Sequence, residues 1–217
     1  MTLHRNTLIH GDCVQVLPSI PSESVDFVLT DPPYLVGYRS RDGRSVTGDS
    51  GGAWLKPAFA QMRRVLKADG FCFSFYGWPH ADRFMEAFRA AGFRPVGHFS
   101  FPKRYVSSVG HVRCQHECGY LLAKGNPNRP RQPLGDVIAW PENTGNKLHP
   151  TQKPVSVLLP LIETYSAAGE TVADPFAGSG STLLAAKMLG RNWLGVELDA
   201  THHATAVKRL AQEGNQP

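Results

Sequence analysis

The chain is poor in the features that would place it in a membrane or outside the cell. No run approaches the length of a membrane span, and the first residues, MTLHRN, lack the apolar core of a signal peptide. There are four cysteines, Cys13, Cys72, Cys114 and Cys118, in 217 residues. We therefore expect reduced thiols and a cytoplasmic location. His111, Cys114, His116 and Cys118 have ligand chemistry, but their alternating spacing is not the paired spacing of a zinc site, and no metal is expected. There is no internal repeat, no low-complexity tract and no G-x-x-x-x-G-K-[ST] phosphate loop.

What is present is an ordinary soluble composition, 41% hydrophobic and 19% charged, with a net charge of +5. That charge is a mild bias towards polyanions and is equally consistent with a solvated basic surface. Apolar runs at Thr7 to His10, Val25 to Thr30, Phe71 to Tyr76, Arg94 to Phe99, Glu117 to Ala123, Thr171 to Asp174 and Asn192 to Leu198 read as strands. Helical spacing covers Leu55 to Leu66, with KADG (Lys67 to Gly70) as its stop. It also covers Pro79 to Ala91, Pro154 to Ala168, Thr182 to Leu189 and Ala200 to Gln212. Strands alternating with helices predict an α/β domain of three layers around a mostly parallel sheet. Residues 35–52, with five glycines and three arginines, and much of 125–150 read as loop.

DPFAGSGST, Asp174 to Thr182, follows a strand and opens a helix. Glycines let the backbone approach a ligand, and a helix N-terminus offers free N–H groups. The next strand ends on GVELD, where Glu197 could accept from ribose hydroxyls. The pattern points to a nucleoside cofactor; a tight βα turn with an exposed acid is the plainer alternative. The full G-x-G-x-x-G spacing is missing, so NAD is not favoured.

VDFVLTDPPY, Val25 to Tyr34, is a buried strand that stops on Asp31, Pro32, Pro33 and Tyr34. Ligands bind beyond the carboxyl ends of parallel strands. The prolines stiffen the corner and present carbonyls without competing N–H donors. Asp31 and a proline carbonyl could take the two hydrogens of a planar amine, with the Tyr34 ring on its face. A surface turn in which Asp31 caps and Tyr34 packs is the alternative.

DPPY (Asp31 to Tyr34), HPTQKP (His149 to Pro154) and DPFAGSGST together resemble the S-adenosylmethionine-dependent DNA amino-methyltransferases, across about Leu8 to Leu210. With the catalytic corner first and the cofactor glycines late, the order resembles the circularly permuted β class. RNA guanine methyltransferases with a similar corner usually place the glycine turn first. The resemblance implies a seven-stranded Rossmann-like sheet and one methyltransferase domain over residues 1–217. Thr171 to Asp174, Asn192 to Val196, Thr7 to His10 and Val25 to Thr30 would then be strands one to four of the unpermuted fold.

It also implies roles. Asp31 and the Pro32 carbonyl would hold the target amine, with Pro33 stiffening the corner and Tyr34 stacking on the base, which must flip out of the duplex. Phe176 would flank the cofactor, S-adenosylmethionine. Gly178, Ser179 and Gly180 would form the turn around it, the two glycines admitting its methionine part. Asp174 would lie near its amino group and Glu197 at its ribose. Asp12 would read its adenine amine, with Cys13 contributing a backbone N–H. Lys153 would open a helix closing over its carboxylate. Asp31 favours adenine-N6 as the target; cytosine-N4, RNA or small-molecule methylation and a non-catalytic DNA-binding role are the alternatives. Double-stranded DNA is the expected partner, contacted through residues 35–52 (Arg39, Arg41, Arg44) and about 99–150 (Lys103, Arg104, Arg129, Arg131). With no long extra recognition segment, a short target site, weak autonomous specificity or a homodimer sharing the DNA is expected. The motifs do not say whether a restriction endonuclease accompanies the chain.

Overall fold

Strand β2 (Val25–Thr30) is buried on both faces, which requires a helical layer on each side. The computed structural model, which describes residues 5–37, 49, 51–141 and 152–212, shows those layers. The remaining strands of the main sheet are β1 (Thr7–His10), β3 (Leu66–Tyr76), β4 (Arg94–Pro102), β7 (His116–Ala123), β8 (Thr171–Asp174) and β9 (Asn192–Glu197). Their order is β1-β9-β8-β2-β3-β7-β4. The first five run parallel, and β7 is antiparallel to both β3 and β4. The third, second, first and fourth strands of the unpermuted fold thus lie side by side, as the motif order predicts.

Alternate residues of β2 and β3 feed two cores. Val28 and Cys72 join α2 (Leu55–Val65) and α3 (Ala81–Ala90) on one face. Phe27, Leu29, Phe73 and Phe75 join α4 (Val155–Tyr165) and α5 (Ser181–Met188) on the other. The short α1 (Cys13–Val16) follows β1, and α6 (Ala200–Gln212) packs on α5, β1 and β9. No helix among the described residues is long and apolar enough to cross a membrane.

Three sequence expectations change. KADG is not a helix stop before a separate strand: Leu66 already pairs with Val25, and the next pair is Phe27 with Phe71. Residues 67–70 are therefore a bulge, turned by Asp69 at φ 55° and pinned by the Asn126 N–H donating to Asp69 Oδ1 at 2.7 Å. Between β4 and β7 stands an unanticipated hairpin, β5 (Ser108–Val109) and β6 (Arg113–Cys114). Part of the 125–150 segment is ordered against β4: Ile138 N–H donates to Ser100 O and Trp140 N–H to Pro102 O, covering that edge.

Candidate active site

Five parallel strands put their carboxyl ends on one edge, and there the chain leaves a cleft of about 410 Å³, ample for a nucleoside-sized ligand. Gly11, Asp12 and Cys13 come from the end of β1, Asp31 to Tyr34 from β2, Asp174 to Ser179 from β8, and Glu197 from β9. Lys153 enters from the start of α4. The structure thus brings together every candidate site residue except Gly180. That glycine, at φ 79°, sits behind the turn: a Cβ there would meet Ala206 Cβ of α6 at 3.1 Å. Its smallness serves helix packing and a left-handed turn. Gly178, at φ 52° with open space where a Cβ would stand, serves the turn itself and lines the cleft.

Carboxylates hold the β8 and β9 side of the cleft. Glu197 Oε2 accepts from Gly178 N–H and Oε1 from Asp199 N–H, both at 2.7 Å, so this acid shapes the glycine turn as well as facing the cleft. Asp174 Oδ1 accepts from Thr30 Oγ1 at 2.8 Å and Phe176 N–H at 3.0 Å, tying the β8 turn to β2. Burial pushes the Asp174 carboxyl up to about 7, against hydrogen bonds from Thr182, Thr30 and Phe176. Asp12 caps α1 through Oδ1, which accepts from Val14 N–H at 2.8 Å. Burial, with Asp12 beside it, pushes the Cys13 thiol up to about 12, so it is no nucleophile. Phe176 meets Trp54 with ring centroids 4.9 Å apart, and both line the cleft.

At the corner, Lys153 Nζ donates to Asp31 Oδ2 at 2.7 Å. The same ammonium lies 5.0 Å from the Tyr34 ring centroid and 4.9 Å from that of Phe75. Burial would drive Lys153 neutral, but Asp31 and Glu117 outweigh it and hold the amine protonated. Burial holds the Asp31 carboxyl above the usual carboxylate range, with Lys153 pulling against it. Among the described residues, two buried side-chain polar atoms have no hydrogen-bond partner: Asp31 Oδ1 and Trp140 Nε1. The Tyr34 hydroxyl lies near Asp31, but its single proton goes to Glu117 Oε2 at 3.0 Å. Gly77 makes room for the corner: a Cβ there would sit 2.7 Å from Tyr34 Cβ.

Sequence reasoning missed Trp54, Gly77, Glu117 and the pairing of Lys153 with Asp31. Nothing in the linear spacing signals them, because β7 and the α4 start reach the corner only through the fold. His149, Pro150 and Thr151 of HPTQKP, and Arg39, Arg41 and Arg44, lie outside the described residues. Arg129 and Arg131 follow Pro127 and Asn128, which sit with Asp26, Lys67 and Asp69 beyond the amino ends of β2 and β3, opposite the cleft.

A doubly wound sheet with a glycine turn, a strand-end acid and a second acid on a proline corner at the same edge defines a nucleoside-cofactor-dependent group transferase. Residues 25–208 match the N6/N4 family described as DNA methylase, and the chain belongs to that family. YubD of Escherichia coli (strain K12) is 52% identical over 203 residues, 94% of this chain and 89% of YubD. The DNA adenine methyltransferase YhdJ of the same strain is 28% identical over 242 residues, covering 94% of this chain and 82% of YhdJ. Among solved structures, the M1.HpyAVI–SAM complex matches with a TM-score of 0.76 at 21% identity, over 94% of this chain and 98% of that one.

Proposed function

We propose that this chain methylates the exocyclic N6 amine of adenine in duplex DNA, with S-adenosylmethionine as methyl donor. The observation that carries the reading is Asp31 in the wall of the cleft, whose Oδ1 is buried and has no partner of its own. Such an atom is costly unless a ligand completes it. An amine N–H is the donor that fits, and the Pro32 carbonyl, with no N–H on its own residue, would take the second hydrogen. The family's two target amines and YhdJ's adenine activity support an amine as acceptor and adenine as the base.

The residues present fit the cofactor. Asp174 would answer its amino group, Glu197 its ribose, Asp12 its adenine amine, with Phe176 beside it and the turn of Gly178 and Ser179 against its methionine part. When bound, the cofactor supplies an electrophilic methyl. The chain supplies position. Two hydrogen bonds from the amine to Asp31 and Pro32 turn its lone pair out of the ring plane, and Tyr34 stacks on the base. The amine nitrogen held in this way would receive the methyl, and the proton it then sheds would pass along its hydrogen bond to Asp31 and on to solvent. Asp31 acts mainly as an acceptor whose bond strengthens as the nitrogen becomes positive. Lys153 keeps its other oxygen occupied and its charge in place.

The base must leave the helix to reach this corner, at a cost of about a few kcal/mol recovered in the pocket. The β5–β6 hairpin rises from the same edge. Residues 103–116 contain Lys103, Arg104 and Arg113 and no acid, and the tip exposes Val109 (76%) and Val112 (62%). Phosphates suit the arginines, and groove edges suit the valines. Competition between duplex DNA and structured RNA for labelled methyl transfer tests the reading. Preferential labelling of DNA is expected; labelling of RNA alone would refute it. Cytosine-N4 is the second reading, since its amine offers the same two hydrogens and the family spans both.

A further inference from the structure

Glu117, at the start of β7, and Lys103, just past the end of β4, meet behind Tyr34. Tyr34 donates to Glu117 Oε2, and Lys103 Nζ forms an ion pair with Glu117 Oε1. Lys103 is buried, its ammonium 5.0 Å from the Trp140 ring centroid and 5.7 Å from that of Tyr105. The Glu117 side chain is 19% exposed. Backbone bonds fix both ends: Lys103 N–H donates to Gln115 O, and Phe101 pairs with Glu117 across the two strands.

We propose that Glu117 and Lys103 are positioning residues for the target base: Glu117 anchors the Tyr34 hydroxyl, Lys103 anchors Glu117, and the pair fixes the ring plane on which the base stacks. This rests on the reading that Tyr34 stacks on an amine-bearing base. Three observations carry it. Both Glu117 oxygens are already engaged, whereas Asp31 keeps one without a partner, so the two acids divide between holding the ring and receiving the amine. A buried ion pair adds little net stability over apolar residues of the same size, so its placement against the corner calls for another reason. The Tyr34 ring is also bounded by the Lys153 ammonium, so its hydroxyl is the handle through which its rotation is set. A ring turned away carries the amine off Asp31 Oδ1, and a misplacement of about 1 Å costs roughly a hundredfold in rate.

The test is a mutant cycle read by single-turnover methyl transfer to duplex DNA, with cofactor affinity and melting temperature as controls. Glu117→Met with Lys103→Met removes both charges at similar size. Glu117→Gln with Lys103→Met keeps an acceptor for the hydroxyl. Tyr34→Phe removes the hydroxyl alone. We expect the Met/Met chain and Tyr34→Phe each to lose about tenfold in rate, with unchanged cofactor affinity. The Gln/Met chain should keep most of the rate. In the Tyr34→Phe background the Met/Met and Gln/Met chains should be equal. Additive losses, or a Gln/Met chain as slow as Met/Met, would overturn the proposal. If the charge variants fail to fold, Tyr34→Phe decides alone: a full rate overturns the proposal. An unaltered chain that methylates no nucleic acid would overturn the functional reading and the proposal together, which separates the two failures.

Discussion

The two oxygens of Asp31 have different neighbours, Lys153 on Oδ2 and no partner on Oδ1, and that asymmetry makes its removal informative. Asp31→Ala should lower methyl transfer at least about a hundredfold while cofactor affinity survives. Asp31→Asn should be nearly as slow, because the amide cannot balance Lys153; isothermal titration and a transfer assay check both. Asp174 makes a pH prediction. Burial raises its carboxyl to about 7, so between the ordinary carboxylate range and about 7 the folded chain binds more protons than the unfolded one. Its contribution to stability is therefore present at low pH and is lost as pH rises through about 7. A cationic amino group on the cofactor favours the ionised acid, so cofactor affinity should climb with pH up to about 7 and then level. Asp174→Asn should flatten the slope, and titration from about pH 5.5 to 8 reads it.

The turn after β8 was legible as an element because its glycines, the preceding strand and the following helix are contiguous in sequence. The division of labour within it was not. Gly178 and Gly180 look alike in the sequence, yet only the second abuts another helix. Gly178→Ala should cost about 1 kcal/mol, the strain of a left-handed residue; Gly180→Ala should cost more, because Ala206 must also give way. Denaturant melts measure both. Glu197→Ala should weaken cofactor binding doubly, since it removes a ribose acceptor and releases the Gly178 N–H. Unchanged affinity would remove Glu197 from that role. The corner at β2 was likewise readable, because a buried strand ending on Asp-Pro-Pro-Tyr is local. Glu117 was not, because it reaches Tyr34 from 83 residues away through an antiparallel register that the alternation of one strand cannot reveal. Strand ends shifted for the same reason: Leu66 and Pro102 join the sheet through their partners rather than their own pattern.

Across the whole molecule, the permuted order leaves the sheet unchanged, because the hydrogen bonds depend on which strands neighbour one another and not on where the chain is opened. That sheet sets β2 beside β8, so that Thr30 bonds Asp174 and the Asp-Pro-Pro-Tyr corner and the glycine turn share one edge. The hairpin between β4 and β7 adds basic groups to that edge. Arg104→Ala with Arg113→Ala should weaken DNA binding across sequences and reduce the slope of log affinity against log salt by about 2, measured by fluorescence anisotropy. An unchanged slope would place the DNA elsewhere. The amine clamp itself is tested most directly by incubating the protein with labelled S-adenosylmethionine and unmethylated genomic DNA, then resolving the product nucleosides. The account predicts label in N6-methyladenine, lost in Asp31→Ala. DNA without label, from protein that binds the cofactor, would contradict it.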